Sequence, residues 1–176
     1  MSTDARTYAR LQKLFRKKLK PKLIVFDLDY TLWPFWCDTH VSPPFKKTKE
    51  GIFDRRNYHV ELYPKSKEIL EILKTEGFLI AAASRTETPD IAEQLLRLFE
   101  INELFDFKQI FPSCKLRHFK NLSEESEIEF KEMIFFDDEM RNIQDISSLN
   151  VVCQYVENGI DFHAIEKAFN EFQGRE

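Results

Sequence analysis

Five short apolar runs punctuate the chain: Leu23 to Phe26, Phe78 to Ala83, Gln109 to Phe111, Met133 to Phe136 and Val151 to Tyr155. Each reads as a strand covered on both faces, because its apolar character is continuous rather than alternating. Helical spacing fills the intervals. One helix is predicted from near Ser66, with Ile69, Leu70, Ile72 and Leu73 inside and Gly77 past its end. A second is capped by Thr88 and carries Pro89 in its first turn. A weaker third pattern spans about Ser123 to Lys131, and a short helix follows Arg141. The last starts at Asp161 and sets Phe162, Ile165, Phe169 and Phe172 on one face. The order β-α-β-α-β-α-β-α-β predicts βαβ units around a parallel sheet.

Two stretches fall outside this rhythm. Tyr8, Leu11, Phe15 and Leu19 recur at helical spacing, so residues 1–21 read as an amphipathic helix ending before Pro21, ahead of a single domain over 22–176. From Pro34 to Pro64 the chain is rich in Pro and aromatics, has Gly51 in a polar turn, and ends in the alternation Tyr58, Val60, Leu62. Residues 34–64 are therefore expected to form a β-hairpin flap over the end of the sheet, too short to be a domain of its own.

Composition narrows the class. With 176 residues and 43% apolar content the chain closes one core, and 17 Phe against 4 Gly exclude collagenous and disordered classes. No apolar run approaches the ~20 residues of a membrane helix, so a soluble protein is expected, without a membrane partner. The net charge of −4 argues against general nucleic-acid coating. The charge is segregated, however. Arg6, Arg10, Lys13, Arg16, Lys17, Lys18, Lys20 and Lys22 stand at the start against Asp4 alone. This basic face is expected to be the solvated side of a docked helix; import signals or an anionic partner are the alternatives. Cys37, Cys114 and Cys153 are an odd set without paired spacing, which predicts an intracellular, reducing compartment, cytoplasmic or nuclear, and cysteines used for packing.

In an open parallel sheet, ligands gather beyond the carboxyl ends of the strands. Asp27, Leu28 and Asp29 follow the first run, and Asp137, Asp138 and Glu139 follow the fourth. Carboxylates crowded at such an edge repel one another unless protonated or neutralised by a cation. An all-oxygen set without His or thiolate favours Mg²⁺. Ser84, Arg85 and Thr86 end the second run, and Lys115 follows the third. Hydroxyl, ammonium and metal-bound carboxylate are the parts of phosphoryl transfer. Asp27 can attack phosphorus to form an aspartyl phosphate, while Asp29 protonates the leaving oxygen and later deprotonates water. Each residue alone has a bland reading as turn, cap or surface. The ordered set at four strand ends is what points to chemistry.

The residues Ile24-Val25-Phe26-Asp27-Leu28-Asp29-Tyr30-Thr31-Leu32, Ala82-Ala83-Ser84-Arg85-Thr86, Lys115 and Phe135-Phe136-Asp137-Asp138 resemble the four motifs of haloacid dehalogenase (HAD) superfamily phosphatases. The stretch from Phe26 to Phe45, with Asp54-Arg55-Arg56, Leu62-Tyr63-Pro64 and Glu139 to Ile143, is closer still to the magnesium-dependent phosphatase-1 family, a likeness covering about residues 22–156. The resemblance implies a Rossmann-like three-layer α/β/α fold without a separate cap domain. It implies Asp27 as nucleophile, Asp29 as acid and base, and Leu28, Ser84, Arg85 and Lys115 around the phosphate. Mg²⁺ would be held by Asp27, the Asp29 main-chain carbonyl and Asp138, with Asp137 behind them orienting Lys115. Tyr30 stands where many superfamily members have Gly.

The implied substrates are phosphotyrosine in proteins or peptides, or sugar phosphates, including those on protein amines. Tyr30, Trp33, Phe35, Trp36, Arg55, Arg56 and Arg85 would choose among them, with Trp33 and Trp36 expected to pack beneath the flap. His40, His59, His118 and His163 read as surface or satisfied core residues. Two alternatives remain: a phosphoserine/threonine phosphatase of the polymerase-tail type, which also carries Asp-Leu-Asp-x-Thr-Leu, and a non-catalytic module acting through the basic helix.

Overall fold

A computed structural model describes residues 3–175. In chain order the elements are α1 (Thr3–Phe15), β1 (Leu23–Phe26), β2 (Lys46–Thr48), β3 (Gly51–Phe53), β4 (His59–Val60), α2 (Ser66–Thr75), β5 (Leu79–Ser84), α3 (Pro89–Leu98), β6 (Phe107–Ile110), α4 (Lys115–Ser126), β7 (Met133–Asp137), α5 (Met140–Ser147), β8 (Val152–Tyr155) and α6 (Phe162–Gln173). Five strands pair in parallel in the order β6-β5-β1-β7-β8, so the most apolar strand, β1, lies at the centre. The chain builds outward on one side through β5 and β6, then crosses to the other for β7 and β8. The switch falls between β1 and β7, and a crevice opens beyond their carboxyl ends.

Alternate side chains divide the core into two. Ile24, Phe26, Ile80, Ala82, Ile134 and Phe136 face one side of the sheet, joined by Leu70, Leu95 and Phe169 of the helices there. Leu23, Val25, Ala81, Ala83, Met133 and Phe135 face the other, against Phe119 and Leu122 of α4 and Ile146 of α5. Both faces are covered, which accounts for the unbroken apolar runs. None of the described helices is long and apolar enough to cross a membrane.

Three expectations need correction. The first helix ends at Phe15, well before Pro21, and residues 1 and 2 of its expected range lie outside the described residues. Phe15 anchors edge-on against Phe78 and Phe169, at 5.3 and 4.8 Å between centroids, and the cationic stretch beyond it leads into β1. The helix expected over about Ser123 to Lys131 instead runs from Lys115 to Ser126. Cys114 precedes it with no side-chain cap, so no start signal was written there, and Glu127 ends it in the left-handed region at φ 58°. Lys131 lies in a separate 3₁₀ turn, Phe130–Glu132. The flap is a three-stranded antiparallel sheet, β2-β3-β4, rather than one hairpin. Its third strand, His59–Val60, falls where Tyr58, Val60 and Leu62 alternate, and two further strands of three residues each precede it.

Candidate active site

Beyond β1 the chain makes a tight turn in which the Leu28 carbonyl accepts from the amides of Thr31 and Leu32. Tyr30 sits in the left-handed region at φ 55°, the conformation for which glycine is best suited. This turn leaves Asp27 at the strand end, 8% exposed, and sends Asp29 onward into the loop. The Leu28 side chain is fully buried, and Leu28 is not among the residues that line the crevice.

Lys115, at the first turn of α4, is buried to its tip and joins three strands. Its ammonium donates to Asp27 Oδ1 at 2.5 Å and to the Ala83 carbonyl at the end of β5, and lies 3.3 Å from Asp137 Oδ2. Burial opposes its charge, yet Asp27 and Asp137 together hold its pKa above the usual lysine range. Asp137 is tied further: Oδ1 accepts from the Glu139 amide at 2.7 Å, and both oxygens accept from Asn142 Nδ2 at 3.1 Å. Ser84 Oγ accepts from the Thr86 amide at 3.3 Å and faces the same crevice.

Carboxylate oxygens of Asp27, Asp137 and Asp138 lie within 4.8 Å of one another. Burial, reinforced by Asp137 and Glu139, pushes Asp138 up to about 7. Burial also raises Asp27 well above the carboxylate range, with Asp137 and Asp29 adding to the rise and Lys115 opposing it. One ammonium does not balance this cluster. The set therefore fits a hard divalent cation on oxygen ligands. Because Asp137 already spends both oxygens on Lys115, Glu139 and Asn142, it is Asp27 and Asp138 that keep capacity for a metal.

The crevice is an open cleft of about 340 Å³. Its lining includes Asp27, Asp29, Ser84, Arg85 and Asp138, with Trp36 and Asp38 at the mouth. Arg85 donates to Asn142 Oδ1 at 3.3 Å and lies 3.9 Å from Glu139. Arg55 and Arg56 lie elsewhere: Arg56 is bound to Asp54 and to the His40 carbonyl. Trp33 packs in the core as expected, but Trp36 is 49% exposed, stacked on His40 and edge-on to Tyr30. The reason is local: the Trp36 amide and carbonyl both bond back to His40, which turns the indole outward.

Asp29 does not join the acidic triad. Its Oδ1 accepts from Trp33 Nε1 at 2.7 Å and from the Cys37 amide at 3.2 Å, while the Cys37 thiol is 3.6 Å from Oδ2. Burial raises its pKa against the pull of these donors. Sequence reasoning treated Cys37 as packing and gave Asn142 no role. The signal for Asn142 was a lone polar residue on the buried side of α5; for Cys37 none was available.

The sequence profile described as Acid Phosphatase matches residues 19–175. Magnesium-dependent phosphatase 1 of Homo sapiens is 48% identical, over 86% of this chain and 87% of its own length. A HAD-like hydrolase superfamily protein of Schizosaccharomyces pombe is 40% identical, over 69% and 78%. The crystal structure of the D,D-heptose 1.7-bisphosphate phosphatase from B. bronchiseptica, complexed with magnesium and phosphate, superposes with a TM-score of 0.60 at 13% identity, covering 85% of this chain and 98% of that one. At that identity the likeness speaks for the fold.

Proposed function

The chain belongs to the Acid Phosphatase family and is a magnesium-dependent phosphatase of the HAD superfamily; from there we propose that it hydrolyses phosphomonoesters through an aspartyl phosphate on Asp27, with phosphotyrosine-bearing proteins or sugar phosphates, including those on protein amines, as substrates. One observation carries this reading: Asp27, Asp137 and Asp138 converge at the β1/β7 switch with the Lys115 ammonium among them.

Asp27 attacks phosphorus, and the ester P–O bond breaks as the bond to the Asp27 oxygen forms. The leaving oxygen keeps the electron pair and takes a proton from Asp29. Asp29, now a carboxylate, removes a proton from water, whose oxygen attacks phosphorus and releases inorganic phosphate and the Asp27 carboxylate. Ser84 and Lys115 hold phosphoryl oxygens during both displacements, and Asp137 keeps Lys115 charged and in place. Asp27, Asp138 and the Asp29 main-chain carbonyl would hold Mg²⁺, which when bound would supply the remaining positive charge against the phosphoryl oxygens. The open cleft, with Trp36 at its mouth, supports admission of a phosphorylated side chain on a protein surface.

The test is hydrolysis of p-nitrophenyl phosphate with Mg²⁺ and with EDTA, beside Asp27→Asn. Activity that needs both the metal and Asp27 is expected, and substantial turnover by folded Asp27→Asn would require another nucleophile. Profiling phosphotyrosine, phosphoserine and sugar phosphates then orders the substrates.

A further inference from the structure

The geometry points to Trp33 and Cys37 as positioning residues that hold the Asp29 carboxylate in one orientation and direct its transferable proton to Oδ2. This rests on Asp29 being the acid and base. Oδ1 receives two N–H groups, the Trp33 indole at 2.7 Å and the Cys37 amide at 3.2 Å. A carboxyl oxygen so occupied is the acceptor edge of the acid, which leaves Oδ2 to carry the proton. Facing Oδ2 is the Cys37 thiol at 3.6 Å, and its sulfur lies 3.1 Å from Thr86 Oγ1. The Thr86 hydroxyl in turn accepts from the Thr88 amide at 3.2 Å. The loop after β5 thus braces the acid carried by the loop after β1.

The indole is a rigid donor. Trp33 has no exposed surface and lies stacked on Phe35, 5.7 Å between centroids and 10° between planes, with Phe99 at 5.9 Å. Filling that space needs only an aromatic ring; pairing the buried N–H needs Asp29. The thiol is confined as well. Buried with its sulfur between Asp29 Oδ2 and Thr86 Oγ1, the S–H acts as a weak donor. In the first displacement the Oδ2 proton passes to the leaving oxygen together with the electron pair of the breaking P–O bond. In the second, Oδ2 takes the proton back from water.

A misaligned acid hurts poor leaving groups more than good ones, because p-nitrophenolate departs with little protonation and phenolate does not. The full chain, Trp33→Phe, Cys37→Ala, Cys37→Ser and Asp29→Asn are compared with Mg²⁺ on p-nitrophenyl and phenyl phosphate, reading kcat/KM, which reports alcohol release. Fold is checked by circular dichroism. Trp33→Phe is expected to lose roughly tenfold more on phenyl than on p-nitrophenyl phosphate, Cys37→Ala about threefold more, and Cys37→Ser to keep the native ratio. Equal losses on both esters in Trp33→Phe and Cys37→Ala, with Asp29→Asn still discriminating between them, overturn the positioning role alone. An Asp29→Asn that does not discriminate removes the acid–base reading and this inference with it. If Trp33→Phe does not fold, the two Cys37 variants decide.

Discussion

The Lys115 ammonium lies 3.3 Å from the Asp137 carboxylate, and neither side chain has any exposed surface. The same ammonium bonds Asp27, so one cation is shared by two buried acids from neighbouring strands. Removing one member of such a set leaves uncompensated buried charge, which costs about 3–5 kcal/mol. Lys115→Met is therefore expected to lose roughly that much stability in urea denaturation with EDTA. Its turnover should fall at least about 100-fold with Mg²⁺ present, since a phosphoryl-binding charge is gone. Near-native stability and rate would separate Lys115 from the site.

Trp36 presents an exposed indole at the mouth of the cleft, held by His40 at 5.1 Å and 17° and by Tyr30 at 5.5 Å. A stacked aromatic pair contributes about 0.5–1.5 kcal/mol beyond area burial. Trp36→Ala is expected to lower kcat/KM for a phosphotyrosine peptide by about two- to tenfold, while a sugar phosphate is unaffected. Parallel losses on both would assign Trp36 to loop structure instead.

His118 is fully buried, with Nε2–H donating to the Phe111 carbonyl at 2.9 Å and Nδ1 lacking a hydrogen-bond partner. Burial, with Lys115 nearby, pushes its pKa down to about 4. The unfolded chain binds this proton near pH 6.5 and the folded chain only near 4, so stability is intact above 6.5 and declines as pH falls between them. The loss amounts to about 3 kcal/mol. Denaturation of the native chain and His118→Phe from pH 7 to 4 checks it: the native chain should lose more, and identical slopes would refute the burial effect.

Phe15, Leu11 and Leu14 are buried where α1 lies on α6, and Gln173 Nε2 donates to the Leu14 carbonyl at 2.8 Å. Phe15→Ala opens a cavity between Phe78 and Phe169 and is expected to cost about 3–5 kcal/mol in urea denaturation. Deleting residues 1–20 should cost at least as much. A truncated chain of native stability would mean that the helix is an appendage whose basic face serves a separate purpose.

The alternation of runs and helical spacings placed β1 at Leu23–Phe26 to the residue and started the last helix at Asp161, which in the fold caps α6, its Oδ1 accepting from the Ala164 amide. These features are local, set by side-chain period and by caps a few residues away. The start of α4 at Lys115 escaped because no capping side chain marks it. The flap was legible as a β element, but its number of strands was not, because strands of two or three residues carry little period.

Within the chain alone lay the strand ends and the residue types that follow them: Asp27 and Asp29, Ser84, Lys115, Asp137 and Asp138. Strand order was absent from it, and strand order sets β7 beside β1 so that residues over a hundred positions apart come within 4.8 Å. Rotamer and partner choices were absent too. Asp29 turns to Trp33 and Cys37, Asp137 to Lys115 and Asn142, and Trp36 to His40 at the mouth. A one-dimensional pattern records which face a residue occupies. The particular donor that a buried carboxylate meets depends on the packing of distant segments, and only the folded chain brings those segments together.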